Sequence, residues 1–289
     1  MTDNISIVRV QGTESSDPQG HSSDAAIERL LMLLDVKQST RNVYKYGLRD
    51  FTAWHAGREL DASAVVRYKQ FLRERADVST STKNLYLSAV RALMTQLHLA
   101  GHVERDFGKG VKGFSQTRGH KKSPITDEQV DKVFAYIRKK NDKRLVLIFT
   151  LLFFQGLRQN ELITARIEDF NASERTLMIM GKARDDRERI DLHPQTVAII
   201  EMFLAVSGLK SGYFLYSKKN PSGHMSGIQL GRIIRSVHEA CGITNSGHAW
   251  RKVFTSKLID SGLDLLSVAS FTRHKSIEML KIYYDRLDK

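Results

Sequence analysis

The stretch GKGVKGFSQTRGHKK, residues 108–122, constrains the fold of this chain more than any other feature. It is rich in glycine and in basic residues, and its few apolar residues recur at neither helical nor strand spacing. Such a stretch has no face to bury, so it predicts an interdomain linker. We therefore predict a flexible tail at 1–23, one domain at 24–107 and a second domain at 123–289, each with its own core.

The first domain is predicted to be entirely helical. Its second helix, STRNVYKYGLRDFTAWHAG, carries an apolar stripe that includes Leu48 and Phe51. The opposite side of that helix presents Arg41, Lys45 and Arg49. The four helical patterns cover about 25–34, 39–57, 62–75 and 80–100.

The second domain is predicted to be mostly helical with one small antiparallel sheet. Thr126 and Gln129 have the spacing of a capping box, and the apolar run at 145–154 indicates a buried helix. TLMIMGKARDDRERIDL, residues 176–192, has two strand-like runs around a polar turn and predicts a β-hairpin. Later helices are expected at about 194–206, 226–240, 247–260, 263–271 and 276–287.

The net charge indicates a polyanionic partner. The chain carries +13, and residues 1–24 contain one arginine against four acidic residues, so the remainder carries +16. A folded body this basic favours nucleic acid, although a solvated basic surface or an anionic membrane surface is also compatible with it. The candidates for contacts with phosphate are Arg41, Lys45, Arg49, Lys121 and Lys122.

Several classes of protein are disfavoured. The single cysteine, Cys241, leaves no internal disulfide and fits a reducing cytoplasm. The run at 145–154 is too short to cross a bilayer, and the N-terminus lacks a signal-peptide pattern. No basic amphipathic terminal helix stands out either, so no membrane partner is expected. No P-loop, GxGxxG, HExxH or paired-metal carboxylate pattern occurs, so we expect neither a cofactor nor a metal.

Two short motifs carry basic residues that are suited to phosphate chemistry. In GLRQNEL, Arg158 and Glu161 are three residues apart and can pair on one helical turn, whether as part of a site or as a simple salt bridge. Lys182 follows Gly181 in the hairpin turn, where a lysine is usually only solvated but can also reach into a groove and donate a proton.

A third motif, SGHAWRKVFTSKL, places a histidine and an arginine near the start of a helix. Ser246 is the expected N-cap, and His248 and Arg251 lie three residues apart, opposite the apolar stripe. The N-terminus of a helix favours an anion, so this pair indicates phosphate binding as strongly as it indicates a structural role.

The last helix contains two adjacent tyrosines. Its apolar stripe consists of Ile277, Leu280, Tyr284 and Leu287, and Tyr283 lies about 100° away from that stripe. Tyr284 is therefore the expected core residue, and Tyr283 is the candidate for a reactive site.

The order of these residues resembles the tyrosine recombinase (phage integrase) family from about residue 25 onward. GLRQNEL matches its first arginine motif, GKARDDRERIDL its hairpin lysine motif, HAWR its His-x-x-Arg motif, and RHKSIEMLKIYYD its closing motif. In the closing motif a histidine precedes the nucleophilic tyrosine by nine residues, as His274 precedes Tyr283. The resemblance implies a helical core-binding domain and a catalytic domain that together clamp DNA.

The resemblance also implies a mechanism and an assembly. Tyr283 would attack a phosphodiester to give a 3′-phosphotyrosyl link, and strand exchange would proceed through a Holliday junction without a cofactor. The expected partners are duplex DNA with a specific recombination site and three further copies of the chain, acting in pairs of active and inactive subunits. Accessory proteins are compatible with this scheme. The expected location is the nucleoid in the cytoplasm of a prokaryote. The gene would be carried by the chromosome, a phage or a mobile element.

Each matched residue acquires an expected role from the family. Arg158 and Arg251 would hold the non-bridging oxygens, and Lys182 would protonate the leaving 5′-oxygen. His248 would act as a base or as a donor to the phosphate, His274 would donate a hydrogen bond to it, and Glu161 would support the pocket.

The chain departs from the family pattern at three places. One is Lys252, where an aliphatic residue or histidine is frequent, and this change is neutral. Thr272 and Arg273 stand where Leu-Gly usually precedes the closing histidine, and six residues follow Tyr283, so coupling between subunits is expected to use contacts other than a long C-terminal helix. Two alternatives stay open, a DNA-relaxing enzyme like the type IB topoisomerases and a catalytically silent DNA-binding protein of the same fold.

Overall fold

The computed structural model of the chain describes residues 21–116, 124–181 and 187–274, together with Glu278 and Leu280. The chain divides into two compact units between Arg118 and Gly119, inside the predicted linker. The described parts are mainly helical with a three-stranded antiparallel sheet in the second unit, which confirms the predicted mainly helical class with a small antiparallel sheet.

The first unit is built from helices whose bounds lie within a few residues of the predicted ones. The helix α2 (Gln38–His55) packs closely on the helix α4 (Thr80–Leu99): a Cβ added to Gly47 would lie only 2.8 Å from the Cα of Tyr86. The apolar stripe of α2 is buried as expected, with Leu48 and Phe51 in the core beside Tyr68. The helices are α1 (His21–Met32), α2 (Gln38–His55), α3 (Ala64–Glu74) and α4 (Thr80–Leu99).

The first part of the predicted linker packs on this unit. Val111 and Phe114 contact its apolar core. The Asn84 side chain binds the backbone of Phe114 at both ends, accepting from its N–H at 2.7 Å and donating to its carbonyl oxygen at 3.0 Å. The Asn84 amide thus satisfies both backbone polar groups of Phe114, as a neighbouring β-strand would. The described residues of the predicted linker, up to 116, therefore belong to the first unit.

The second unit begins with three helices whose ends are marked by capping residues. Helix α5 (Asp127–Lys140) starts at the capping box of Thr126 and Gln129, which confirms that prediction. Helix α6 (Lys143–Gln155) contains the apolar run and is largely buried. It ends at Gly156, whose φ of 55° suits glycine, and the short helix α7 (Gln159–Thr164) follows.

In the chain, a small sheet follows α7 and precedes the later helices. Its strands are β1 (Phe170–Asn171), β2 (Thr176–Met180) and β3 (Arg187–Asp191), in the order β1-β2-β3. The predicted hairpin is confirmed by the β2–β3 pairing, in which Leu177 faces Ile190, whereas the two-residue β1 was not predicted.

The remaining helices complete the second core. They are α8 (Pro194–Ser207), α9 (Gly227–Ala240), α10 (Ala249–Asp260) and α11 (Leu265–Thr272). Leu280 is fully buried against Ile259 and Val268, which confirms its predicted place on an apolar stripe. None of the helices in the described ranges has the length and apolar character that a bilayer crossing requires.

Candidate active site

Arg158 and Glu161 pair at the beginning of α7. The backbone N–H of Arg158, the N-cap residue, donates to Glu161 Oε2 at 2.9 Å, and its guanidinium Nη1 donates to Oε1 at 2.6 Å. The Glu161 side chain is almost fully buried, whereas the Arg158 side chain is 25% exposed. The pairing expected from the i, i+3 spacing is present, and Arg158 keeps an open face.

Arg273 completes this ion pair from the end of α11. Its Nη2 donates to Glu161 Oε2 at 2.8 Å, and its side chain is only 7% exposed. Its backbone is left-handed, with a φ of 55°, and its carbonyl oxygen accepts a hydrogen bond from Arg158 Nη2 at 3.4 Å. The sequence identified Arg273 only as a departure from the family pattern and did not predict its contacts.

The carboxyl group of Glu161 is held in its charged form. Burial disfavours the carboxylate and alone would raise its pKa, but the opposing charges of Arg273 and Arg158 and the hydrogen bonds from Arg158 outweigh burial, and the pKa lies below its usual value. The site therefore contains one stable negative charge within a group of cations.

Arg251 lies inside the protein near the same turn. It is 3% exposed, and its Nη1 donates to the carbonyl oxygen of Gly156 at 2.7 Å, which joins α10 to the segment just before Arg158. The predicted N-cap at Ser246 is wrong, because α10 starts at Ala249 with His248 as its N-cap and a turn over 246–249 precedes it. His248 and Arg251 still lie within the first turn of one helix.

A buried histidine fixes the start of α10. The indole Nε1 of Trp250 donates to His238 Nε2 at 2.8 Å, and the other ring nitrogen, Nδ1, lies 2.8 Å from the carbonyl oxygen of Asn245. Because Nε2 accepts, Nδ1 must carry the proton and donate to Asn245. Burial lowers the pKa of His238 and the hydrogen bond to Asn245 opposes that effect, so the ring is neutral at pH 7.

The His274 ring is subject to the charges of several cationic residues. Burial is the largest cause that lowers its pKa, and the charges of Arg251, Arg158, His248 and Arg273 lower it further, to about 4. These four residues therefore lie within electrostatic range of one imidazole ring, although they are distant in the sequence.

The hydroxyl group of Thr272 determines which nitrogen of His274 carries the proton. Thr272 Oγ1 donates to the carbonyl oxygen of Val268 at 2.6 Å and lies 2.6 Å from His274 Nδ1. Since the hydroxyl proton is used, Oγ1 accepts from Nδ1–H, and the neutral ring carries its lone pair on Nε2.

The structure brings together part of the predicted residue set. Arg158, Glu161, His248, Arg251 and His274 meet at the ends of α7, α10 and α11. Lys182 and Tyr283 lie outside the described residues, as do Lys121 and Lys122. Within the described ranges no three His, Cys, Asp or Glu side chains form a group that could hold a metal ion.

The three candidate DNA contacts of α2 belong to the first unit and are partly buried. Arg41 Nη2 donates to the carbonyl oxygen of Leu34 at 3.3 Å, and Lys45 forms an ion pair with Glu28. Arg41 and Lys45 are therefore engaged within the protein in the absence of DNA.

The family model of the phage integrase family matches residues 124–289, which is more than half of the chain. The protein is thus a DNA strand-transfer enzyme of the tyrosine recombinase class. The chain belongs to the phage integrase family.

Curated relatives share the length of the chain at low identity. A tyrosine recombinase of Synechocystis sp. is 26% identical over 273 residues, covering 86% of each chain. The tyrosine recombinase XerA of Thermococcus kodakarensis is 24% identical over 248 residues, covering 84% of this chain and 83% of the relative.

Solved structures share the fold. The Tn1549 transposon integrase in complex with transposon right end DNA has a TM-score of 0.67 at 16% identity, covering 89% of this chain and 92% of that one. The XerH site-specific recombinase bound to difH substrate has a TM-score of 0.67 at 19% identity, covering 90% of this chain and 80% of that one.

Proposed function

We propose that this protein is a site-specific recombinase that cuts and rejoins duplex DNA through a 3′-phosphotyrosyl intermediate and a Holliday junction. The observation that carries the proposal is the convergence of Arg158, Arg251 and His248 on His274, beside the buried carboxylate of Glu161. A cluster with this excess of positive charge suits a phosphodiester, whose negative charge grows on its non-bridging oxygens during displacement.

The proposed nucleophile is the hydroxyl group of Tyr283. Its oxygen forms a bond to phosphorus, and the bond to the 5′-oxygen breaks, so a phosphotyrosyl ester replaces the phosphodiester. His248 takes the phenolic proton and Lys182 supplies a proton to the 5′-oxygen. Attack by the 5′-hydroxyl of the partner strand reverses the step and rejoins the DNA, so that the bond energy is kept and no cofactor is consumed.

The two arginines are proposed to bind the non-bridging oxygens. Arg251 is held by the carbonyl oxygen of Gly156, and Arg158 is held by Glu161, so both guanidinium groups are oriented before DNA arrives. Donors that need no reorganisation contribute most to the stabilisation of a transition state, and removal of one typically costs about 10²–10³ in rate.

His274 is proposed to take up a proton when the phosphate binds. Without DNA its ring is neutral and Nε2 carries a lone pair, which would repel a phosphate oxygen. The phosphate offsets the arginine charges that keep the ring neutral, so protonation of Nε2 becomes favourable and the ring becomes a donor.

The proposed assembly is a clamp of the two units around duplex DNA, with four copies of the chain acting in pairs. The net charge of +13 supports binding to a polyanion, and two structural relatives are described as DNA complexes. Location in the cytoplasm and the use of accessory proteins belong to the same proposal.

Sequencing of covalent adducts tests the proposed function. The full chain, purified with a tag, is incubated with sheared genomic DNA of its source, denatured, captured and digested, and the attached DNA is sequenced. Recovery of one short sequence linked through a 3′-phosphate supports a site-specific recombinase. Adducts at random sequences, together with relaxation of any supercoiled plasmid, would favour the topoisomerase-like alternative, and the absence of adducts would favour a silent binder.

A further inference from the structure

We propose that Arg273 is a positioning residue of the active site, which shares the Glu161 carboxylate with Arg158 and so keeps the Arg158 guanidinium aimed at the scissile phosphate. The proposal rests on the proposed function, because the phosphate role of Arg158 is part of it.

The guanidinium groups of Arg158 and Arg273 bind different oxygens of the Glu161 carboxylate, and the two side chains differ in exposure. Glu161 Oε1 accepts from Arg158 Nη1, while Oε2 accepts from Arg273 Nη2 and from the backbone N–H of Arg158. The Arg273 side chain is 7% exposed against 25% for Arg158. Arg158 can therefore reach a ligand, whereas Arg273 is turned towards the protein and acts through its neighbour.

Nη1 of Arg273 also points to the protein. It donates to the carbonyl oxygen of Phe271 at 3.3 Å, and Nε is buried without a partner among the described residues. With Nη1 and Nη2 bound to the protein and 7% of its side chain exposed, Arg273 is less open to a DNA phosphate than Arg158. Its remaining role is to place its charge beside Glu161.

The backbone of Arg273 gives a second link to Arg158. Its φ of 55° is a conformation that glycine adopts without strain, yet an arginine occupies it. In that conformation its carbonyl oxygen lies 3.4 Å from Arg158 Nη2. Glycine could supply the same backbone geometry, so what arginine adds is the ion pair with Glu161.

Because Arg158 and Arg273 share the Glu161 carboxylate, each guanidinium is held by only part of it. With Arg273 absent, Glu161 would draw only on Arg158, and both carboxylate oxygens could pull its guanidinium away from the phosphate. Burial would also raise the pKa of Glu161 once one opposing charge is lost. Among the residues that the structure describes, the other charged and titratable groups near this cluster are Arg251 and His248 on α10 and His274 after α11.

The test compares Arg273→Gly, Arg273→Lys and Arg273→Gln in the full chain. The substrate is a nicked duplex carrying the sequence recovered from wild-type adducts, and two quantities are measured from pH 5 to pH 8: the Kd for DNA and the single-turnover rate of adduct formation. Arg175→Gly is the matched control, since Arg175 is an exposed arginine with a φ of 53° that lies in the turn before β2.

We expect Arg273→Gly and Arg273→Gln to bind DNA within about threefold of wild type but to cleave about 10²-fold more slowly, the cost typical of a misplaced reacting group. The acid limb of their pH–rate profile should move to higher pH. Arg273→Lys should restore most of the rate and the position of that limb, and Arg175→Gly should match wild type.

Three outcomes would overturn the proposal: a wild-type acid limb in the Gln variant, equal rates for the Lys and Gln variants, or a loss of DNA affinity as large as the loss of rate. If Arg273→Gly does not fold, the Lys and Gln comparison decides. A wild-type protein that forms no adduct would instead contradict the proposed function, so the two failures are distinguishable.

Discussion

Arg158 and Glu161 hold each other at the start of α7 through two hydrogen bonds, of 2.9 Å from the backbone N–H and 2.6 Å from Nη1. The carboxylate thereby satisfies an N–H group that the helix leaves without an internal partner, and it orients the guanidinium at the same time. One buried side chain links the local fold to the proposed chemistry.

Glu161→Gln should destabilise the protein and slow cleavage together. The change keeps the shape but removes the negative charge that two arginines share, and loss of one member of a buried ion pair costs about 3–5 kcal/mol. Urea denaturation gives the free energy of unfolding, and adduct formation gives the rate.

Glu168→Gln is the matched control for that change. Glu168 pairs with Arg166 at the surface, where the two side chains are 42% and 38% exposed, so a loss of at most about 1 kcal/mol is expected. Equal effects of the two substitutions would show that burial of Glu161 has no energetic consequence.

Trp250→Phe should weaken the attachment of α10. It removes the donor to His238 Nε2 and leaves a buried acceptor without a partner, at a cost of about 1–3 kcal/mol. Because His248 and Arg251 flank Trp250, the rate of cleavage should fall as well. Trp54→Phe, a ring in the first unit that contacts Phe51 and Tyr68, serves as the control and should leave the cleavage chemistry unchanged.

His274 should make stability depend on pH in mildly acid solution. Its pKa is about 4 in the fold against 6.5 for an ordinary histidine, so below pH 6.5 the unfolded chain binds a proton that the folded protein does not. Stability should fall between pH 6.5 and pH 4 by about 1–3 kcal/mol from this residue. Urea denaturation over that range should show a shallower fall in His274→Gln than in the wild type.

The parts of the fold that sequence predicts well are those determined by local signals. The capping box at Thr126 and the β2–β3 hairpin depend on residues a few positions apart, and the burial of Leu280 follows from helical periodicity. The pairing of Arg158 with Glu161 follows from i, i+3 spacing in the same way.

The features that sequence missed depend on contacts between distant segments. The attachment of Phe114 to Asn84 joins residues 30 positions apart, and Arg273 meets Glu161 across 112 positions. Arg251 was placed opposite an apolar stripe, but packing against the segment at Gly156 buries it. No periodicity or capping pattern encodes such contacts, because they form only when the helices pack.

Lys45 offers a test of the DNA contacts proposed for the first unit. It forms an ion pair with Glu28 in the free protein, so binding to phosphate requires a change of partner. If Lys45 contacts phosphate, Lys45→Gln should lower the slope of log affinity against log salt by about 0.9, and Glu28→Gln should raise the affinity.

Fluorescence anisotropy between about 50 and 200 mM salt gives both quantities, and the wild-type affinity should fall steeply over that range. An unchanged slope in Lys45→Gln would assign Lys45 to the ion pair alone. A wild-type affinity that does not change with salt would contradict the argument from net charge.

The central claim is that Tyr283 forms the covalent bond to DNA, and trapping on a nicked duplex tests it most directly. The duplex carries the sequence recovered from wild-type adducts, and denaturing gels measure the covalent product of wild type, Tyr283→Phe and Tyr284→Phe. The sequence predicts Tyr284 on the apolar stripe, so its loss should reduce stability but leave the adduct. We predict that the adduct disappears in Tyr283→Phe and persists in Tyr284→Phe, and the reverse result would contradict the account.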